Sequence, residues 1–317
     1  MSATASSADQ KLTGLVAATF APFTTEGELN LSVIGPYIDY LKDKQGVKSI
    51  FVNGSTGEGM SLSVEERKTL AQEWCQKAKG KMDHVIVHVG CMSLKDSQEL
   101  ARHAVTIKAD AIAVISPSYY KPSNADVLRS YLQEVASVAP TLPFYYYHLP
   151  AVTGVNVPVR DLLVGIKERI PSFRGVKFSG TDLMDFGQCV SQSHSDWSFL
   201  YGVDEQLLAA LALGADGAVG STYNYMGCQV NKLISEFGKG NLVEARKIQF
   251  KVQDLISFAI QRGVDLGMFK QLMIELSGLS LGPPRLPVKT CPPADVTPIV
   301  EKYRSVFPEE CPGQTGL

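Results

Sequence analysis

An α/β fold, a (β/α)8 TIM barrel with additional C-terminal helices, is predicted by three features of the chain. Eight short apolar runs recur, each followed by a stretch with helical periodicity. The runs begin about 18 to 36 residues apart, the length of one β/α unit. Their hydrophobicity is continuous rather than alternating, as in parallel strands covered on both faces. Eight such units close most economically into a barrel, with an open doubly wound sheet as the competing arrangement.

In chain order the runs are Leu15–Ala18, Ser49–Val52, Val85–Val89, Ala111–Ser116, Phe144–His148, Gly175–Ser179, Phe199–Gly202 and Gly217–Ser221. After the second run, the small residues of Gly54–Gly59 make a turn. Ser63-Val64-Glu65-Glu66 is then a capping box that opens a helix running through Trp74. Ala109-Asp110 and Ala215-Asp216 precede the fourth and eighth runs, a weak internal echo. Beyond the eighth run two apolar stripes follow, Val230, Leu233, Ile234, Phe237 and Ile248, Val252, Leu255, Ile256, Ala259, which predict extra helices over Met226–Ser277. Gly282-Pro283-Pro284 is a stop signal. The organisation expected is a flexible N-terminus over 1–12, the barrel over 13–225, a helical extension over 226–307 and a flexible tail over 308–317.

Composition narrows the function. The 317 residues suit one barrel of roughly 250 residues plus extensions. A hydrophobic fraction of 45% with 20% charged residues suits a globular enzyme with a large core. Thirty basic against 32 acidic residues leave a formal charge of −2, without like-charge runs, so neither nucleic acid nor an anionic membrane surface is an expected partner. No segment approaches the ~18 consecutive apolar residues of a membrane span. The polar start Met1–Gln10 has no signal-peptide character. The six cysteines lie far apart with no Cys-x-x-Cys, so free thiols, a cytoplasmic setting and no structural metal are expected.

Four segments are candidates for chemistry, each with a bland alternative. Lys177 lies inside the apolar run Gly175-Val176-Lys177-Phe178-Ser179. Burial penalises the charged form of an amine, and the neutral amine is what attacks a carbonyl; otherwise such a lysine snorkels from a strand end to water. In Tyr145-Tyr146-Tyr147-His148 the rings alternate, so Tyr145 and Tyr147 share one face. A barrel-facing Tyr147 could shuttle a proton, where simple aromatic packing is the alternative. Gly54-Ser55-Thr56-Gly57-Glu58-Gly59 can crowd N–H and hydroxyl donors around an anion, or be only a turn. Asp204-Glu205 after the seventh run can grip hydroxyls or simply begin a helix. Two motifs are set aside. Gly278-Leu279-Ser280-Leu281-Gly282 follows a helical stretch and has no histidine after it, unlike a nucleophile elbow. His84 and His88 lie four apart in a strand rather than on a zinc-binding helix.

Together, Gly54-Ser55-Thr56-Gly57-Glu58, Tyr147 before Leu149-Pro150-Ala151, and Gly175-Val176-Lys177 resemble the dihydrodipicolinate synthase and N-acetylneuraminate lyase superfamily. The similarity runs from about Gly14 to Pro287. The strings Phe51-Val52-Asn53-Gly54, Phe144–Pro150 and Gly217–Tyr225 look closest to the animal N-acetylneuraminate lyase branch. Where the synthases carry an arginine for a second carboxylate, this chain has Val152; where the lyases carry an acidic residue for the sugar chain, it has Glu205.

The resemblance implies a class I aldolase that cleaves a sialic acid to N-acetylmannosamine and pyruvate without a cofactor. Lys177 would form the Schiff base and Tyr147 would exchange the proton. Ser55 and Thr56 would hold the substrate carboxylate, and Ser179, Gly202, Asp204, Glu205 and Ser221 would line the sugar-chain site. It also implies a homotetramer. Some relatives of that superfamily lend a tyrosine from a neighbouring subunit, at a position where Tyr119 aligns better than Tyr120. The rival readings are another pyruvate-dependent aldolase or dehydratase, separated by its aldehyde preference, and a non-catalytic sialic-acid-binding barrel, separated by pyruvate release.

Overall fold

The computed structural model describes residues 11–308; the flexible segments expected at the two ends lie, but for Lys11, Leu12 and Pro308, outside the described residues. The chain alternates β1 (Gly14–Ala18), α1 (Ile34–Asp43), β2 (Ser49–Val52), α2 (Val64–Ala78), β3 (His84–His88), α3 (Leu94–Thr106), β4 (Ala111–Ile115), α4 (Ala125–Ala136) and β5 (Phe144–His148). Three short helices follow, α5 (Pro150–Thr153), α6 (Val159–Leu163) and α7 (Ile166–Arg169). Then come β6 (Phe173–Phe178), α8 (Leu183–Ser191), β7 (Ser198–Tyr201), α9 (Leu207–Ala212), β8 (Gly217–Gly220) and α10 (Tyr223–Gly238). Each strand pairs in parallel with the next, and β8 pairs with β1, so the sheet closes into a barrel in sequence order.

Every apolar run is a strand, with ends within two residues of those expected. Side-chain alternation sorts the strands into two layers. Val16, Phe51, Ile86, Ala113, Tyr145, Tyr147, Leu200 and Val219 fill the barrel interior. Leu15, Ile50, Val87, Val114, Tyr146, Val176, Phe199 and Ala218 pack outward beneath the helices. The helices begin where the sequence supplies caps. Ser63, Ser93, Asn124, Asp182, Asn241 and Asp265 each accept a backbone N–H from the first turn, and Ser63 with Glu66 completes the capping box. The two Ala-Asp pairs do the same job: Asp110 accepts the Val85 N–H at 2.7 Å and Asp216 the Phe199 N–H at 2.8 Å, each at the start of the preceding strand.

The C-terminal part departs from expectation in two places. The helical stripe thought to begin an extension at Met226 belongs to α10, which packs against β1 as the eighth barrel helix. The extension proper is α11 (Leu242–Ile260), α12 (Leu266–Ser277) and α13 (Pro293–Val306). A turn-rich segment containing Gly282-Pro283-Pro284 joins the last two. Helix α13 lies beyond that stop and carries Pro298 internally, so its sequence resembles a breaker. Tertiary contacts hold it, among them the Tyr303 hydroxyl donating to the Tyr225 carbonyl at 2.9 Å. Of the cysteines, Cys75, Cys91, Cys189 and Cys291 are free, whereas Cys228 is disulfide-bonded, which corrects the expectation of free thiols throughout. Sequence spacing does not report pairs that the fold brings together.

One irregularity matters most for function. Phe144 pairs with Phe173 but Tyr145 with Gly175, so Arg174 is an extra residue in β6. Phe173 and Val176 consequently both face outward although three residues apart, and Lys177 turns into the barrel. Without the bulge, strict alternation from Phe173 would send Lys177 outward. Gly175 permits the bulge: its φ is +144°, and a Cβ there would lie 1.9 Å from the Ser198 carbonyl oxygen. Gly175→Ala is therefore expected to lower stability by roughly 3 kcal/mol or more. Urea denaturation measures this, and a variant as stable as the parent would contradict the bulged register.

Candidate active site

The C-terminal ends of the strands bring the candidate residues to one mouth of the barrel, the face at which barrel enzymes act. Lys177 on β6 is buried, 4% exposed, with its Nζ 4.0 Å from the ring centroid of Tyr147 and 4.2 Å from that of Phe51. The amine thus sits over two aromatic faces, whose quadrupoles favour a cation placed there. Tyr147 lies next to Lys177 in the β5–β6 register, and its hydroxyl is 3.3 Å from the Ser55 Oγ. Lysine, tyrosine and serine are therefore gathered, as the sequence reading expects. Thr56 lies beside Ser55 on the same loop and is buried, whereas Ser55 is exposed.

A second group lies at the ends of β6, β7 and β8. Asp204 is buried, and its Oδ2 accepts from the Thr222 hydroxyl at 2.5 Å and the Thr222 N–H at 3.2 Å. Burial raises its pKa, opposed by those two hydrogen bonds, by the neighbouring buried Tyr223 hydroxyl and by Lys177. The buried Ser179 Oγ has no partner among the described residues. Two glycines make room for these atoms: a Cβ on Gly220 would lie 2.0 Å from Asp204 Oδ1, and one on Gly202 would lie 2.0 Å from Ser179 Oγ. Glu205 is half-buried next to Asp204, and burial raises its pKa too. Ser221 is half-buried at the end of β8. The extension braces this rim, since Gln249 on α11 donates to the Asp204 carbonyl at 3.3 Å and Gln253 to the Glu205 carbonyl at 2.8 Å.

Several residues that shape the site carry no motif. Phe51 is the second ring under Lys177. His88, read from sequence only as a rejected metal ligand, lies edge-on to Tyr147 with ring centroids 5.9 Å apart. The Ile115 N–H donates to its Nε2 at 3.3 Å, so the ring proton sits on Nδ1 and is donated to the Asn53 carbonyl at 3.0 Å. Burial first, and Arg67 second, hold its pKa well below the usual value, so it stays neutral. Buried Arg67 donates to the His88 carbonyl at 2.7 Å and the Gly90 carbonyl at 3.0 Å, and its own carbonyl accepts from the Asn53 side chain at 2.9 Å. The network fixes Asn53, whose φ of +62° starts the loop that carries Ser55. Nothing local in the sequence marks Arg67 as buried, so its role carries no signal in the chain alone.

Val152 and Ser55 line one small cavity of about 70 Å³ with Met60, His88 and Met92, so an uncharged side chain stands beside the loop where a synthase would place a guanidinium. Tyr119 and Tyr120 are both exposed, 79% and 86%, and pack edge to face with centroids 5.0 Å apart. No group of three His, Cys, Asp or Glu side chains able to hold a metal occurs among the described residues, and no helix there is long and apolar enough to cross a membrane.

A closed barrel with a lysine buried over two aromatic rings at its mouth defines a class, and the family model for the dihydrodipicolinate synthetase family matches residues 11–297. The chain belongs to that family. Within it, the chain is 62% identical to the N-acetylneuraminate lyase of Danio rerio over 297 residues, covering 93% of this chain and 97% of that one. It is 55% identical to the N-acetylneuraminate lyase of Homo sapiens over 281 residues, covering 88% of each. Among solved structures, the N-acetylneuraminate lyase of Aliivibrio salmonicida superposes with a TM-score of 0.88 at 37% identity, covering 94% of this chain and 97% of the other.

Asp204 supplies the test of the second group's geometry. Thr222→Val removes the hydroxyl donor from a buried carboxylate and is expected to cost about 1.5–3 kcal/mol, the range for a hydrogen bond to a charged group. Chemical denaturation reads this, and an unchanged midpoint would contradict the arrangement.

Proposed function

We propose that this chain is an N-acetylneuraminate lyase, a class I aldolase that reversibly cleaves N-acetylneuraminate to N-acetylmannosamine and pyruvate through a Schiff base on Lys177. The observation that carries the reading is the buried Lys177 amine, 4.0 Å from the Tyr147 ring, whose hydroxyl is 3.3 Å from Ser55. Amine, phenol and hydroxyl-bearing loop thus lie in one chain of neighbours at the mouth of the barrel. The strong likeness to N-acetylneuraminate lyases supports the choice of substrate.

In this mechanism the substrate carboxylate binds the Ser55 and Thr56 hydroxyls, which fixes the neighbouring ketone and lowers the entropic cost of attack. The neutral Lys177 amine adds to C2, the Tyr147 hydroxyl gives its proton to the departing hydroxyl so that water leaves, and an iminium remains beside the deprotonated tyrosine. That cation lies over the Phe51 and Tyr147 rings, which stabilise it in place of solvent. Tyr147 takes the proton of the C4 hydroxyl as the C3–C4 bond breaks. The bonding pair moves into the iminium to form an enamine, and N-acetylmannosamine departs as the aldehyde. Protonation at C3 and hydrolysis then release pyruvate and restore the amine.

Ser179 Oγ, buried and without a protein partner, is suited to a hydroxyl of the sugar chain, with Gly202, Asp204, Glu205 and Ser221 completing that wall. Glu205 contributes the preference for this aldehyde, and Val152 the absence of a second carboxylate clamp. The reading carries with it a homotetrameric assembly and a cytoplasmic location, which sedimentation and cell fractionation test.

Borohydride added with pyruvate should attach a stable adduct to Lys177, found by peptide mass spectrometry. Activity alongside an unmodified Lys177 peptide would refute the mechanism. Lys177→Ala should release no pyruvate in a coupled dehydrogenase assay while retaining the fold. Tyr147→Phe should still be trapped by borohydride but lose on the order of 10²–10⁴-fold in kcat, the usual worth of a general acid–base group. A Tyr147→Phe enzyme with undiminished kcat would remove the tyrosine from the proton path.

A further inference from the structure

The loop that carries Ser55 and Thr56 ends in a costly arrangement. Glu58 is a non-glycine residue at φ +52°, in the left-handed region, and its side chain is fully buried. Its Oε1 accepts from the Lys270 Nζ at 2.9 Å, and its Oε2 accepts from the Arg285 N–H at 2.7 Å. Lys270 on α12 is itself only 1% exposed and also donates to the Pro283 carbonyl at 3.1 Å. Burying both partners of an ion pair earns little net stability. A left-handed residue and a buried pair at the same position therefore call for a reason other than stability.

The surrounding contacts indicate the reason. Arg285 is partly exposed and donates to Glu66 in a two-pronged pair, one bond at 2.8 Å, and to the Gly27 carbonyl at 2.6 Å. Lys270 Nζ and Arg285 Cζ lie 4.2 and 4.8 Å from the Phe23 ring centroid. Gly282 sits so close to Phe23 that a Cβ there would lie 2.1 Å from the Phe23 carbonyl oxygen. The segment from α12 to Arg285 is thus clamped to the loop after β1, to the cap of α2 and to Glu58. From the barrel side the loop is held by Asn53, His88 and Arg67; from the outside, its fixed point is the Glu58 carboxylate.

We propose that Lys270 and Arg285 of the C-terminal extension are positioning residues for the substrate carboxylate: by gripping Glu58 they hold the loop so that Ser55 and Thr56 meet the α-keto acid at Lys177. This rests on the reading above, in which those hydroxyls bind the carboxylate. The extension then takes part in the reaction at a distance, through a loop 212 residues away in sequence.

The probe pair is pyruvate and acetone, ketones that differ in whether they carry a carboxylate. Borohydride trapping rates on Lys177 are measured with each, for the full-length parent, Lys270→Met and Arg285→Gln. Lys270→Met should slow trapping by pyruvate on the order of tenfold to a hundredfold, the effect of a small misplacement of a positioning group. Trapping by acetone should change by less than about twofold, and the KM for pyruvate in the condensation direction should rise more than kcat falls. Arg285→Gln should give the same selective pattern at smaller size, and Lys270→Arg should recover part of the loss. If Lys270→Met does not accumulate as folded protein, the same comparison on Glu58→Gln, which weakens the grip from the loop side, decides alone. Equal slowing with both ketones, or no slowing with either, overturns the proposal. A parent protein that pyruvate does not label at all would instead refute the Schiff-base reading and is distinguishable from both.

Discussion

The site depends on a change of phase in one strand. β6 leaves the barrel floor with Phe173 facing the helices and would, by strict alternation, bury Lys177 against them too. The bulge at Arg174 and Gly175 shifts the remainder of the strand by one position, which puts the amine over the rings of Phe51 and Tyr147. Only a glycine can take the backbone angle and the approach to Ser198 that this requires. On the proposed mechanism, the aromatic floor fits the iminium that forms during reaction. Gly175 and Lys177 work as one device, in which a backbone distortion aims the amine that the proposed mechanism uses as nucleophile.

Around that amine the protein separates two binding tasks. One wall is a loop that starts at the left-handed Asn53 and reaches the left-handed Glu58, and on the proposed reading its hydroxyls receive a small anion. The opposite wall holds the buried Asp204 and the unpartnered Ser179 Oγ, which on the proposed reading face a ligand rich in hydroxyls. Both walls are held by residues outside the eight β/α units. Gln249 and Gln253 of α11 hold the backbone at Asp204 and Glu205, while Lys270 and Arg285 hold Glu58. The extension is therefore better described as a brace for the mouth of the barrel than as an appendage. Left-handed residues and buried charges are unfavourable locally, and they persist where surrounding contacts over-determine them.

Much of this was legible in the sequence because the relevant signals are local. Continuous apolar runs identify parallel strands whatever they pack against, and Ser63 with Glu66 marks a helix start by chemistry alone. Alternation within Tyr145-Tyr146-Tyr147 gave the direction of Tyr147, since β5 has no bulge between those residues. Lys177 was singled out correctly as an apolar-strand lysine, but its direction could not be read, because a bulge leaves no reliable mark in one sequence. The rest was hidden for a common reason. His88, Arg67, Lys270 and Arg285 act through partners far away in the chain, and each looks like an ordinary polar residue among its sequence neighbours. Helix α13 falls within the helical extension expected over 226–307, but no local signal marks its place, because Pro298 opposes the local propensity and tertiary packing overrides it.

The central claim is that the bulge delivers Lys177 to an α-keto acid whose carboxylate rests on Ser55 and Thr56. A crystal structure of the protein soaked with pyruvate tests it directly. The account predicts continuous electron density from Lys177 Nζ to the keto carbon, with the carboxylate oxygens on the two hydroxyls and the Tyr147 hydroxyl beside them. Density joined to another side chain, or a Lys177 side chain directed outward beneath the helices, would contradict it.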